Sequence, residues 1–427
     1  MSDIKQSQLA LEAIRKKLVG KTLNYREIYA VMDQISHDKL GDVLTTYFAA
    51  SGYSKGFTNE ELYFLTKAMV ETGEKLQFSG IVADKHSIGG TPGTRTTLIL
   101  VPIVAAAGFK IPKSSSRAIT TPGGTADDME VIAKVEFSRH EIMDIVKKVG
   151  GCIVWGGSFN IAPADDLLIQ VEKPLLFESF DKILVSILAK KIAFGSTHVV
   201  IDMPVGDKMK IKHRADAEIL AKKFMVIGAK FNIKIKCLIH PTHEPAGRGV
   251  GPALEVREAL RVLQQKPFRP IDLEERSLEL AGTLLDMCLE DSKKQEQEYV
   301  KDNFKDGRGW AEELLKSGDA WRKMQEIIAA QKGNSKLDSE DLKPGKYSGI
   351  IKASHYGKII QIDSKAVTVI CRILGAPTDK HAGIYLEKKI GERVAKGEPV
   401  VIMYSDAKHN LEEAKETVKH VNIFNVK

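Results

Sequence analysis

Between Asp84 and Thr97 the sequence reads DKHSIGGTPGTRTT, where one lysine and several hydroxyls surround three glycines. A short strand, Ile81 to Ala83, is expected before this segment, and the apolar run TTLILVPIVAAAGF follows it. A strand, a glycine-rich turn and a helix start can cradle an anion, because glycine lets backbone N–H groups approach and the helix dipole favours negative charge. Lys85 would add a point charge, and Ser87 and Thr97 would add hydroxyl donors. The spacing matches neither GxxxxGK[ST] nor GxGxxG, and an ordinary strand-to-helix turn also collects glycine and threonine.

A second segment, KSSSRAITTPGGTADDME from Lys113 to Glu130, holds three consecutive serines, Arg117, three threonines and a Gly-Gly pair before another helix start. Singly, such residues cap helices and turns. Two such loops on one sheet would converge at its carboxyl edge, where ligands bind in open α/β folds. GRGVGPALE, from Gly247, is a third glycine-rich helix start, read as a packing turn that can also shape the pocket. His240 and His243 in IHPTHEPAG lack a third ligand at metal spacing, so no metal site is expected.

Positioning these loops requires an ordered scaffold. LALEAIRKKL, REIYAVMDQI and ELYFLTKAMVETG space apolar residues three and four apart, which predicts a small all-α domain over residues 1–75. DKILVSILAKKIAFG, from Asp181, repeats that pattern, so residues 164–195 are expected to return to the helical domain and create a hinge. Residues 76–163 and 196–345 alternate strands, loops and helices, which predicts a large α/β domain with a central mixed sheet. Its strand candidates include GCIVWG, THVVIDMPVG and IKIKCLIH. The stretch from Glu290 to Gly345 reads as polar, helical and linker-like. From 346 to 427 a C-terminal α+β lobe is expected, with GIIKAS, GKIIQI and AVTVICRI as β-type segments and a final helix from Leu411.

A chain of 427 residues exceeds one hydrophobic core, so two or three domains are expected. With 43% hydrophobic and 28% charged residues, the composition is that of a soluble globular protein. Four scattered cysteines without a CxxC pair point to reduced thiols. The N-terminus reads as an amphipathic helix and not a signal peptide, and the longest apolar run is too short for a membrane span. The expected location is the cytoplasm, with no membrane partner. The net charge of +7 is spread along the chain without a basic tail, which favours small anions over nucleic acid as partners.

DKHSIGG, SRAITTPGGTADDME, NIAPADD at Asn160 and SILAKK at Ser186 together resemble the thymidine phosphorylase and AMP phosphorylase family. The resemblance runs from LALEAIRKK to GAPTDKHAGIYLEKKIGERVAKGEPV. It implies a helical domain and an α/β domain that close over phosphate and substrate, and a homodimer. It also implies that Lys85, Ser87, Thr97, Ser115 and Thr125 bind phosphate. Ser186 and Lys190 match positions facing the base in the pyrimidine enzymes, and His86 matches a histidine beside the base. Ile169 and Glu172 stand where those enzymes carry a tyrosine and an arginine that grip a pyrimidine. ADDLLIQVEKPL, the extra proline of GGTPGTR and SSSRAIT instead resemble the AMP phosphorylase branch. There the matching nucleotide-binding positions are Gly90, Ser116, Arg117, Ala118, Ile119, Thr120, Thr121, Thr125, Ser186 and Lys210. The proton donor falls on Glu178, a glutamate where that branch usually has aspartate. Thr94 and Arg95 replace an acidic-basic pair common in parts of the family.

What the resemblance implies chemically is phosphorolysis: inorganic phosphate attacks C1′ while Glu178 or His86 protonates the departing base. Inorganic phosphate is then a co-substrate, and no metal or organic cofactor enters the scheme. The expected substrate is a nucleoside 5′-monophosphate such as AMP, giving free base and ribose 1,5-bisphosphate. The alternatives are a thymidine or pyrimidine nucleoside phosphorylase, or a non-catalytic nucleotide-binding protein.

Overall fold

The computed structural model describes residues 3–118, 121–158, 160–172 and 179–427. Its contacts divide the chain into two units. The first comprises Met1–Asp84, Gly156–Val199 and Glu218–Lys236, and the second Lys85–Trp155, Val200–Ala217 and Cys237–Lys427.

The first unit is built on helices. Asp3–Leu18, Tyr25–Ser36, Gly41–Lys55 and Asn59–Glu71 pack with Pro163–Glu172 and Phe180–Ala193. Two of the starts are written locally: Asn24 with Glu27 and Thr58 with Glu61 form capping boxes, which satisfy N–H groups left open at a helix entry. Buried Glu61 also accepts Lys17 Nζ at 2.8 Å and the Leu23 N–H at 3.0 Å, tying the first helix to the fourth.

Strands Ala83–Ser87, His198–Val205 and Lys234–Pro241 pair in that order, and the division between units cuts across all three. The bonds His198 N–Val82 O and Ile88 N–Asp202 O advance together, as do Lys234 N–Thr197 O and Thr242 N–Val205 O, so the strands are parallel. Ile111–Ser115 and Gly151–Trp155 form a second parallel pair, with Ser115 opposite Trp155. The helix Thr96–Ala106 is apolar on every side and buried from Thr96 to Ala105, as a core helix must be. Pro252–Leu263, Ile271–Glu290 and Asp319–Ala330 pack around it. Among the described residues no helix is long and apolar enough to cross a membrane.

The C-terminal lobe carries antiparallel pairs: Pro399–Ser405 runs between Tyr347–Lys352 and Gly383–Leu386, and Gly357–Ile362 between Arg393–Val394 and Phe424–Val426. The fold is therefore α/β, with parallel and antiparallel sheets, a helical N-terminal domain and a C-terminal α+β lobe.

Three local expectations change. The first strand is Ala83–Ser87 and not Ile81 to Ala83, so Lys85 and Ser87 lie on a strand, two residues apart and therefore on one face. AVTVICRI is helical, within Ser364–Leu374. Asp363 caps that helix by accepting from the Lys365 and Ala366 N–H groups, and Ala366, Val367, Ile370, Cys371 and Leu374 form its buried face. The linker-like stretch is packed structure: Ala311, Leu314, Leu315, Met324, Ile327 and Ile328 are buried. Gln331, fully buried after them, accepts from Ile153 N and donates to the Ile153 and Lys134 carbonyls at 2.7–2.8 Å.

Candidate active site

Lys85 is 1% exposed. Its ammonium donates to Ser87 Oγ, to Thr96 Oγ1 at 2.8 Å and to Thr97 Oγ1 at 3.3 Å. A lysine ammonium has three donors, and neutral hydroxyls orient it without removing its charge. Thr96 and Thr97 open the helix Thr96–Ala106, where N–H groups of the first turn and the dipole add positive potential. Thr96 was not among the expected ligands. The run of two threonines after Arg95 is the only sequence trace of it.

Ser87 Oγ donates to Asp202 Oδ2 at 2.8 Å. Buried Asp202 also meets the Arg276 guanidinium and lies 3.3 Å from His240 Nδ1. Burial alone would raise its pKa, but Lys85, Arg276 and His240 hold it below the usual carboxylate range. Burial pushes the His240 pKa down, Asp202 opposing and Arg276 adding to the fall, so the ring is neutral near pH 7. Lys85 and Arg276 thus both act on one buried carboxylate, and Arg276 also pairs with Glu279 at 2.5 Å. Asp202 escaped sequence reasoning, although a lone carboxylate inside the buried run VVIDMPV is a usable signal.

The second loop starts where the strand Ile111–Ser115 ends. Ser115 Oγ is buried with no hydrogen-bond partner, and a buried hydroxyl left unpaired costs about 1–3 kcal/mol. Asp127, another group missed from sequence, staples the loop: its Oδ2 accepts from Ala118 N at 2.7 Å and Gly124 N at 3.1 Å. Thr121 Oγ1 donates to Gly123 O at 2.8 Å, and Thr125 begins the short helix Thr125–Glu130. Gly124 is required, because a Cβ there would stand 2.6 Å from Ser116 O and 2.7 Å from Ala118 N. Ser116 is exposed.

Arg117, expected at a nucleotide, is engaged by carboxylates. It bonds both oxygens of Glu130 at 2.6 and 2.8 Å and Glu136 at 2.9 Å, and it stacks 4.9 Å from the Trp155 ring centre. The Arg117 bond lowers the Glu130 pKa to about 2 against the opposing effect of burial. Ile119, Thr120 and Glu178 lie outside the described residues.

Lys210 lies against the first loop. A Cβ on Gly90, whose φ is +112°, would fall 3.1 Å from Lys210 N and 3.2 Å from its Cγ. Beside it Thr91 Oγ1 donates to Met209 Sδ at 3.0 Å. The Lys85 hydroxyl cluster, Ser87 with Asp202, and Gly90 with Lys210 are thus brought together within the second unit. His86, between Lys85 and Ser87, takes the opposite strand face by alternation.

The first unit holds a different cluster. Ser186 and Lys190 are four apart on Phe180–Ala193, hence on one helix face. Ser186 Oγ donates to Asp165 Oδ2 at 2.7 Å, and Lys190 Nζ reaches the same oxygen at 2.7 Å. Asp165 is fully buried, and its pKa is lowered because Lys190 and Ser186 outweigh burial; the Lys190 pKa is raised because Asp165 outweighs it. The pair is ionised. Ile169 sits on Pro163–Glu172, and Glu172 at its end pairs with Lys182.

His240 is bonded within the Asp202–Arg276 cluster. Among the described residues the one group of three possible ligands is Asp379, His381 and Asp406. There Asp379 accepts the His381 and Asp406 N–H groups at 2.9 and 3.0 Å, a turn-holding network.

Comparison with known proteins bears on all of these residues. The "Glycosyl transferase family, a/b domain" profile matches residues 79–321, the "Glycosyl transferase family, helical bundle domain" residues 11–73, and the "Pyrimidine nucleoside phosphorylase C-terminal domain" residues 358–424. AMP phosphorylase of Methanosarcina barkeri (strain Fusaro / DSM 804) is 43% identical over 96% of this chain and 79% of its own length. AMP phosphorylase of Thermofilum pendens (strain DSM 2475 / Hrk 5) is 42% identical over 94% of this chain and 76% of its own. The crystal structure of anthranilate phosphoribosyltransferase (TrpD) from Thermus thermophilus covers 75% of this chain and 99% of its own, with a TM-score of 0.60 at 17% identity, a likeness of fold alone. With three consecutive profile matches and relatives aligned along nearly the whole chain, the chain belongs to the thymidine phosphorylase and AMP phosphorylase family.

Proposed function

We propose that this protein is a phosphorylase that uses inorganic phosphate to cleave the N-glycosidic bond of AMP, giving adenine and ribose 1,5-bisphosphate. The observation that carries the reading is the buried Lys85 ammonium, held by three hydroxyls at a helix start. Phosphate is held by Lys85, Ser87, Thr97, Ser115 and Thr125, with Thr96 added to the set. Fixing the nucleophile beneath C1′ replaces a bimolecular encounter with a positioned one. Its negative charge also stabilises the cationic sugar as the bond to the base breaks. The proton for the departing base is assigned to Glu178, by its matching position, or to His86. A general acid contributes roughly 10²- to 10⁴-fold.

The test is base release from AMP, CMP, UMP, adenosine, uridine and thymidine, each with and without phosphate. AMP is expected to be cleaved fastest, and only when phosphate or arsenate is present. Equal release in phosphate-free buffer would identify a hydrolase and end this reading.

Ser186 and Lys190 are proposed to face the nucleotide, and Asp165 to hold them. Asp165→Asn keeps the shape and removes the shared charge. It is expected to raise the AMP KM roughly 30-fold, as loss of one partner of a buried charged pair does at its mildest, about 2 kcal/mol, while the phosphate KM stays unchanged. Steady-state kinetics with each substrate varied in turn would expose an error in this assignment as a shift in the phosphate KM.

A further inference from the structure

Arg95 is fully buried. Nη1 donates to the carbonyl oxygens of Gly93 at 2.8 Å and Gly249 at 2.7 Å. Nη2 donates to Ala246 O at 3.0 Å and to Glu258, and Glu255 lies 3.8 Å away. The cage fits this side chain closely. Gly93 and Gly247 have φ of +73° and +60°, and a Cβ on either would run into the guanidinium. Glu258 also accepts the Arg248 N–H at 3.1–3.2 Å, so one carboxylate fixes both the arginine and the turn facing it. Guanidinium presents a planar fork of donors, which is what three carbonyls and a carboxylate in separate directions require.

The cage adjoins the cradle along the chain. Arg95 is the residue before Thr96 and Thr97, whose hydroxyls orient Lys85, and its carbonyl accepts the Leu98 N–H that closes the first helical turn. We propose that Arg95 is the positioning residue of the phosphate cradle: locked to the turn 246–249 and to Glu258, it fixes the two threonines and through them the Lys85 ammonium. This rests on the reading of the Lys85 cluster as the phosphate site. It assigns a role to GRGVG and to the arginine that distinguishes this chain from parts of its family. A guanidinium used only for stability would affect both substrates alike, whereas this one acts on phosphate first.

The experiment uses the full chain with Arg95→Ala and Glu258→Gln, the second changing charge with little change of shape. Phosphate and AMP are each varied at saturating levels of the other, with and without guanidinium ion at millimolar concentration. The phosphate KM is expected to rise roughly tenfold or more in both variants, since small misplacements of positioned groups carry costs of that size, with the AMP KM within about twofold of the parent on the same scale. Added guanidinium is expected to lower the phosphate KM of Arg95→Ala and leave the parent unchanged. Parallel melting curves, with inorganic phosphate as the probe, are expected to show a rise for the parent that is lost in Glu258→Gln. If Arg95→Ala does not fold, Glu258→Gln decides alone. An unchanged phosphate KM, equal shifts of both KM values, or a phosphate-induced rise retained in folded Glu258→Gln would each overturn the proposal. A parent stabilised by phosphate but inert toward AMP would remove the reaction and not the Arg95 role, which the melting curves then judge.

Discussion

Lys85→Met is expected to lower kcat/KM for phosphate by roughly 30- to 5,000-fold, the range set by about 2–5 kcal/mol for losing one partner of a buried, hydrogen-bonded charge contact. Methionine preserves the length and apolar stem of lysine, so the loss reports the ammonium and not a cavity. The effect should divide between a raised phosphate KM and a lowered kcat, because on the proposed reading the charge both binds the anion and holds it at C1′. Folding should suffer little. Asp202 keeps Arg276 and His240 as partners, and Ser87 keeps its bond to Asp202. Steady-state kinetics with phosphate varied, beside a melting curve, tests both statements. A large fall in melting temperature with an unchanged phosphate KM would make Lys85 a structural residue.

One arrangement recurs at each cluster: a buried carboxylate stands behind the groups proposed to meet or position ligand. Asp202 holds Ser87, Asp165 holds Ser186 and Lys190, Asp127 holds the loop before Thr125, and Glu258 holds Arg95. Each of the four stands beside a cation or accepts N–H donors, which is how a buried charge is tolerated. These acids escaped the sequence reading. For two of them the partner is remote in sequence, since Asp202 meets Ser87 across 115 positions and Glu258 meets Arg95 across 163. The hydroxyls and the lysine were legible because glycine, serine and threonine cluster locally around a strand and a helix start. Apolar runs also carried the buried helix Thr96–Ala106 and the strands Gly151–Trp155, His198–Val205 and Lys234–Pro241.

The failures have equally specific causes. Ala83–Ser87 reads ADKHS, with no β-branched residue and two charges, so it resembles a loop until its backbone bonds to the neighbouring strand are seen. Ser364–Leu374 holds valines, isoleucines and a threonine, whose stiff side chains favour strands. There the Asp363 cap and a buried face at helical spacing prevail over propensity. Lys294–Ala330 is helical, as its sequence reads, but its buried residues are hard to see because its helices are polar on one side.

Lys210→Ala is expected to erase most of a preference for AMP over adenosine. A 5′-phosphate carries close to two charges, and a charge-assisted bond from an ammonium is among the stronger polar contacts. Losing one from a closed site costs about 2–5 kcal/mol, so AMP should exceed adenosine by roughly 30-fold or more in kcat/KM in the parent. Arg117 is poorly placed for this part. Arg117 already spends its donors on Glu130 and Glu136, and swinging it to a nucleotide would break two charge-assisted pairs. Lys210 packs its stem against Gly90, at a φ that favours glycine, and a Cβ at 3.1–3.2 Å would push it away. Gly90→Ala should therefore imitate Lys210→Ala in part, with adenosine cleavage less affected than AMP cleavage. The measurement is kcat/KM for AMP and adenosine in the parent and both variants, at saturating phosphate. If Lys210→Ala lowers both substrates equally, the lysine does not read the 5′-phosphate; if thymidine outruns every monophosphate in the parent, the substrate is a nucleoside.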